Sequence, residues 1–194
     1  GTWLGLTGEI VGPADAIYSG LADLCVPSAR LGEVVQALAE LAPGVDDGVV
    51  RAVIQEFAVD PGRSLLAAEA EVIDRCFAFD SVEEILAALA DEPGEFARST
   101  REAIMRRSPT SLKLTLRLLR FGRDSSSLVE CLEREFTAAS EILRHHDFYE
   151  GVRAAIIDKD RDPKWSPSRL QDVREEDLDA YLAVRHPLLF AQHR

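Results

Sequence analysis

Apolar residues recur at three- and four-residue spacing along most of this chain, and glycines and prolines punctuate the runs. That rhythm predicts helices joined by short breaks. Residues 1–7 (GTWLGLT) read as a helix stopped by Gly8. Gly12-Pro13 opens a helix over 13–19, which Gly20 closes. Two stretches depart from the helical rhythm: EIV at 9–11 and LADLCV at 21–26 are the strand candidates, the second ended by Pro27. Ser28 is the expected cap of a helix over 29–41, whose Val34, Val35, Leu38 and Leu41 share a side.

Pro43-Gly44 and Asp46-Asp47-Gly48 mark a break, so a boundary is expected between residues 1–42 and 46–194. Beyond it every element reads as helix: 48–58, 65–78, a helix after Ser81-Val82-Glu83-Glu84, and 95–107. Serine with glutamate three residues later is a capping-box pattern. LKLTLRLLRF (112–121) alternates like a strand, but its proline start, its expected stop at Gly122 and the spacing of Leu112, Leu116 and Leu119 predict a helix. Residues 126–144 give the longest helix, with Leu128, Leu132, Phe136, Ala139 and Leu143 in one stripe. A last helix near 175–184 opens on the acidic run EED, as the helix dipole prefers.

Between these two lies HDFYEGVRAAIIDKDRDPKW (146–165). Asp147 is the expected N-cap, with Glu150 at the capping-box position. Val152, Ala155 and Ile156 form an expected apolar face, Asp162-Pro163 ends the helix, and Trp165 is expected to fill a surface groove. A short capped helix with a charged run and a tryptophan after it has the composition of a docking element.

Composition narrows the function. The 194 residues are 46% apolar, enough to bury a core. The net charge of −12 argues against a general nucleic-acid binder and against a membrane-surface protein, since both need a basic face. No run of about 20 apolar residues spans a membrane. Cys25, Cys76 and Cys131 are odd in number, far apart and each within an apolar run, which predicts reduced core thiols in a cytoplasmic or mitochondrial-matrix protein that is not secreted. The chain opens on Gly1-Thr2-Trp3-Leu4, already apolar and helical, and is expected to be a fragment preceded by a partner segment.

Candidate chemistry is sparse. His145 and His146 are adjacent, so on a helix they point apart and are not expected to hold a metal; His186 and His193 lie in the tail. Ser125-Ser126-Ser127 reads as a linker and cap, and no nucleophile elbow, phosphate loop or dinucleotide fingerprint is present. One charge pattern stands out. From Arg106 to Arg123 there are six basic residues and no acidic one, with Lys113, Arg117 and Arg120 on one helix face. Such a face either pairs with acidic neighbours or meets an anionic group such as phosphate.

HDFYEGVRAAIIDKDRDPKW, preceded by SPTSLKLTLRLLRFG, resembles the C-terminal region of the 3-hydroxyisobutyryl-CoA hydrolases of the crotonase (enoyl-CoA hydratase/isomerase) superfamily. LGLTGEIVGPADAIYSGLADLCV resembles the superfamily pattern that lies just after its catalytic core. The resemblance runs from about Gly1 to about Tyr181. It implies a mostly α chain, the C-terminal helical part of a crotonase fold. Residues 1–42 would end the core and 46–194 would form the helical domain. It implies hydrolysis of 3-hydroxyisobutyryl-CoA in valine breakdown, with no cofactor beyond the coenzyme A of the substrate.

By the same resemblance the oxyanion donors and the catalytic Glu and Asp lie upstream, so no catalytic residue is assigned here. Family members bring a C-terminal basic residue near the CoA phosphates. Lys159 and Lys164 are the candidates, with Arg117 added from the basic face. The expected partners are an acyl-CoA substrate and the missing N-terminal core, and a homo-oligomer is compatible. Two alternatives stay open: a family member acting on another acyl-CoA, and a non-catalytic helical lid or assembly module.

Overall fold

The computed structural model describes residues 1–183 and, among them, holds twelve α-helices and no strand. They are α1 (Thr2–Thr7), α2 (Pro13–Tyr18), α3 (Leu31–Ala39), α4 (Asp47–Gln55), α5 (Leu65–Ala68) and α6 (Ala70–Cys76). Next along the chain come α7 (Val82–Asp91), α8 (Glu95–Met105), α9 (Pro109–Asp124), α10 (Leu128–Ile142), α11 (His146–Val152) and α12 (Glu175–Leu182). The mostly α expectation holds. Neither 9–11 nor 21–26 is a strand: Ile10 is 98% exposed, and Cys25 accepts a lone backbone bond from Val59 at 2.9 Å. A ladder needs a row of such bonds to a second extended segment.

Local signals set most helix starts. Asp46, Ser64, Ser81, Ser108 and Ser127 each accept a hydrogen bond from the backbone N–H three residues on. Each satisfies an amide that the first turn leaves without a partner. Gly8 takes a left-handed φ of 62° and its N–H returns to Leu4 O, ending α1 as expected. Three details depart from expectation. Ser28 begins a short 3-10 turn (Ser28–Arg30) instead of capping a helix, 65–78 is broken at Glu69, and α9 runs past Gly122 to Asp124. A single glycine costs a long packed helix only about 1 kcal/mol, which does not stop it.

The chain divides into two compact units: residues 1–8 with the chain from Val72 on, and Glu9–Glu71. The break expected between 42 and 46 therefore falls inside the second unit. There α3 packs on α4 and α2 on α5. Asp15 of α2 is buried and accepts from Ser64 Oγ at 2.7 Å and Leu66 N at 2.9 Å, capping α5 from a distance. Those bonds hold its carboxyl below the usual carboxylate range.

In the first unit α9 is buried on two sides. Leu112 and Leu116 join Leu6, Ile85, Leu89 and Ile104 in one apolar cluster. Leu114 joins Ala138, Val173, Leu178 and Tyr181 in another, with Leu118 packed against it. Residues two apart on a helix point about 200° apart, so strand-like alternation here loads opposite faces of one helix. Cys76 is buried in the first cluster, and burial pushes its thiol pKa up; Cys25 and Cys131 are half-buried, and none of the three is bonded to another.

The stripe expected on α10 faces outward: Leu128 is 72% exposed and Leu143 49%. The buried positions of this helix are Thr137 and Ala138, because a small residue at Ala138 lets it approach the cluster on α9 and α12.

α1 lies against α9 at Gly5, where an added Cβ would stand 2.9 Å from Leu119 Cδ1 and 3.3 Å from Thr115 Cγ2. Gly5→Val is expected to lower stability by about 1–3 kcal/mol through overpacking, read from the midpoint of chemical denaturation. An unchanged midpoint would mean that α1 shifts on α9 at no cost.

Candidate functional site

α11 is short, and its N-cap is His145, which makes no side-chain cap. Asp147, the expected cap, sits inside the first turn. Its carboxylate accepts from Ser108 Oγ at 2.5 Å and from the backbone N of Ser166 at 2.8 Å. Glu150, the expected capping-box partner, is buried and turned the other way. It accepts from Arg153 Nε at 2.9 Å, Arg153 Nη2 at 2.8 Å and the backbone N of Lys164 at 2.7 Å. The spacing of the two acids is that of a cap, but Asp147 binds Ser108 and Ser166, and Glu150 binds Arg153 and the Lys164 amide. Charged and buried donors outcompete a frayed helix end for a carboxylate.

These bonds strap residues 162–167 across α11. His146 Nε2 donates to Lys164 O at 3.0 Å, and Trp165 Nε1 donates to Arg106 O at 3.0 Å. The Trp165 ring lies over Gly151, where an added Cβ would be 3.4 Å away. So the tryptophan does fill a groove, between α11 and the turn before α9. Ser108 serves both parts, capping α9 through Ser111 N at 3.2 Å while donating to Asp147.

Past Val152 the helix widens into a π-turn over Arg153–Ile157, closed by Asp158 N to Arg153 O at 2.8 Å. The extra residue in that turn rotates the side chains beyond it. Ala154 is the buried position, while Ile156 and Ile157 are 65% and 69% exposed, so the expected Val152–Ala155–Ile156 face does not form. Lys159 and Arg161 then take left-handed φ values of 59° and 55°. For a residue with a Cβ that costs roughly 1–2 kcal/mol.

Arg153 holds this loop. Its Nη1 donates to Asp158 at 2.7 Å and Asp160 at 2.6 Å, and its Nη2 also reaches Asp162 O at 3.3 Å. The Arg153 hydrogen bonds, then the Lys164 amide, hold the Glu150 pKa down to about 2. Those of Glu150 and the two aspartates raise Arg153, and Asp160 is lowered in return. Sequence reasoning passed over Arg153. The signal was present: an arginine three residues after a glutamate, with two aspartates within the next two turns.

The three cations singled out in the sequence fall in two places. Lys159 lies on the loop held by Arg153 and Lys164 on the strap that follows it; Lys164 Nζ pairs with Asp162, whereas Lys159 is exposed and makes no ion pair among the described residues. Arg117 is on α9, donating to Asp179 at 2.6 Å, within 3.9 Å of Glu175. It lines a cleft of about 520 Å³ whose lining includes neither of these lysines. Lys113 and Arg120 line the same cleft, bound to Glu83 and Asp80 at 2.8 Å each. Arg120 also donates to Phe77 O at 3.1 Å. The basic face is met by acidic neighbours.

His145 stands 3.5 Å from Glu141 and stacks on Tyr181 with ring centroids 4.5 Å apart. No group of three or more metal-binding side chains occurs among the described residues; His186 and His193 lie outside them. No helix among the described residues is long and apolar enough to cross a membrane.

Two variants probe the strap. Ser108→Ala loses a cap and a buried partner of Asp147, and is expected to cost about 1–2 kcal/mol in equilibrium unfolding. Glu150 has a folded pKa below its ordinary value of 4.5, so its stabilisation is present above that pH and is lost as pH falls toward about 2. Stability measured across that acid range should therefore fall less steeply for Glu150→Gln than for the parent. Equal slopes would mean that Glu150 is not paired in solution.

Residues 1–182 match the family model described as "Enoyl-CoA hydratase/isomerase". Among curated proteins the chain is 38% identical over 183 residues to human mitochondrial 3-hydroxyisobutyryl-CoA hydrolase, covering 92% of this chain and 47% of that protein. It is 34% identical over 190 residues to the probable 3-hydroxyisobutyryl-CoA hydrolase 3 of Arabidopsis thaliana, covering 93% and 50%. Among solved structures it resembles a carnitinyl-CoA dehydratase from Mycobacterium thermoresistibile, with a TM-score of 0.84 and 34% identity over 97% of this chain and 52% of that one. It also resembles an enoyl-CoA hydratase from Rhodobacter sphaeroides, with a TM-score of 0.78 and 35% identity over 94% and 50%. The chain thus spans about half the length of the curated relatives it matches. A family match over nearly the whole chain, joined to the fold likeness, makes this protein a member of the enoyl-CoA hydratase/isomerase, or crotonase, family.

Proposed function

We propose that this chain is the helical part of an acyl-CoA thioester hydrolase that converts 3-hydroxyisobutyryl-CoA and water to 3-hydroxyisobutyrate and free CoA, a step of valine breakdown. The observation that carries this reading is that the curated relatives matched over nine-tenths of the chain bear the hydrolase name. Water adds to the thioester carbon, the carbon–sulfur bond breaks, and the departing thiolate takes a proton. Oxyanion donors and acid–base carboxylates for those steps are assigned to a core outside these residues. A cytoplasmic or mitochondrial-matrix setting fits this chemistry.

This chain's own share is to bind the nucleotide end of CoA and to dock on the core. Lys159 is the favoured phosphate contact, because its ammonium is exposed and unpaired among the described residues. Lys164 and Arg117 come second, since each already holds a carboxylate. The outward leucines of α10 favour docking against a core or a second copy.

Two observations support other readings. The names of the structural neighbours favour hydration or dehydration of another acyl-CoA. The outward stripe would equally serve a helical assembly module without catalysis.

Thiol release from 3-hydroxyisobutyryl-CoA by the full-length protein decides between the enzymes: turnover is expected. Its absence, together with hydration of crotonyl-CoA, would move the assignment to the hydratases. In the same protein Lys159→Glu should raise KM about tenfold, the worth of one charge-assisted contact. Arg117→Glu should also raise KM if Arg117 meets a phosphate; an unchanged KM would return it to pairing with Asp179 and Glu175 alone.

A further inference from the structure

Lys159 lies between two aspartates in the sequence Asp158-Lys159-Asp160, where either carboxylate could neutralise its ammonium. Neither does. Both are taken by a single nitrogen, Arg153 Nη1, at 2.7 and 2.6 Å. The other edge of the same guanidinium is fixed on the buried Glu150 by paired bonds at 2.9 and 2.8 Å. Lys159 meanwhile sits at a left-handed φ of 59°, and Arg161 N bonds back to Ala154 O at 3.1 Å to close the loop. A left-handed lysine between two captured carboxylates is an unfavourable arrangement, and such arrangements persist only where the surroundings over-determine them.

We propose that Arg153 is a positioning residue: by bridging Asp158 and Asp160 it holds the loop in its left-handed turn and leaves the Lys159 ammonium unneutralised for an anionic ligand. The inference rests on the reading of Lys159 as a contact to the phosphates of CoA. A planar guanidinium suits the task, since it bridges several carboxylates at once where an ammonium acts as a single point charge. Released from Arg153, either aspartate is one residue away from Lys159 and free to pair with it.

The test compares two thioesters of the same acyl group in the full-length protein: the acyl-CoA, and the acyl-pantetheine that lacks the nucleotide and its phosphates. Arg153→Gln is expected to raise KM for acyl-CoA about fivefold to tenfold while kcat and the KM for acyl-pantetheine stay unchanged. Lys159→Ala should do the same, and adding Arg153→Gln to it should raise KM no further. Arg153→Lys keeps the charge where the glutamine variant fails to fold, and it should show the same selective rise, because it cannot bridge both aspartates. A rise of equal size for both substrates, or full recovery of KM with lysine, would overturn the positioning role. If Lys159→Ala leaves both KM values unchanged, the phosphate reading of Lys159 itself fails. If only Lys159→Ala acts, that reading stands and the role of Arg153 falls.

Discussion

A helix buried on two opposite sides has little freedom to move, and α9 is that helix. Leu112 and Leu116 lie in one apolar cluster and Leu114 in the other. Its polar positions are tied down as well: Lys113, Arg117 and Arg120 each reach an acidic residue of another segment. The helices that matter for the candidate site are placed relative to it. α1 touches it at Gly5, α12 through the second cluster, and its N-terminus holds Asp147 through Ser108.

That last contact joins the fold to the strap. Ser108 caps α9 and donates to α11 with one hydroxyl, while Trp165 takes the Arg106 carbonyl in the turn just before. The strap crosses α11 on two carboxylates, Asp147 and Glu150, whose bonds run to the backbone of Ser166 and Lys164. Backbone contacts of this kind fix the path of a loop independently of its side chains. The charged run DKDRD, which by composition belongs to a solvated loop, is an ordered turn in which Arg153 binds the carboxylates of Asp158 and Asp160 and the backbone carbonyl of Asp162.

Simple charge balance accounts for the ion pairs of the basic face on α9. In a chain of net charge −12, acidic side chains are plentiful, and a cationic helix face that meets them within the fold gains partners without needing a ligand. Lys159 is different because its nearest acids are already engaged. The outward leucines of α10 are different in another sense: their spacing is that of a core face, but the described residues place nothing apolar enough against them to bury them.

By itself, the sequence determined the helical class, most helix starts and the family likeness. Helix periodicity and capping depend on residues within one or two turns, and Ser81, Ser108 and Ser127 cap where their local patterns place them. Gly8 stops α1 for an equally local reason, its left-handed φ. The tertiary structure alone decided the rest. Asp147 and Glu150 carry the spacing of a cap yet bind partners up to 39 residues away, because a carboxylate goes to the strongest donors within reach whatever their distance along the chain. The same holds for Asp15, which caps α5 from 51 residues off. The two strand candidates needed a partner strand, which local pattern does not supply, and the alternating leucines of α9 needed two cores to be read as one helix. For HDFYEGVRAAIIDKDRDPKW, the residues announced a docking element; only the folded chain showed that it docks on the start of α9 and that Arg153 organises it.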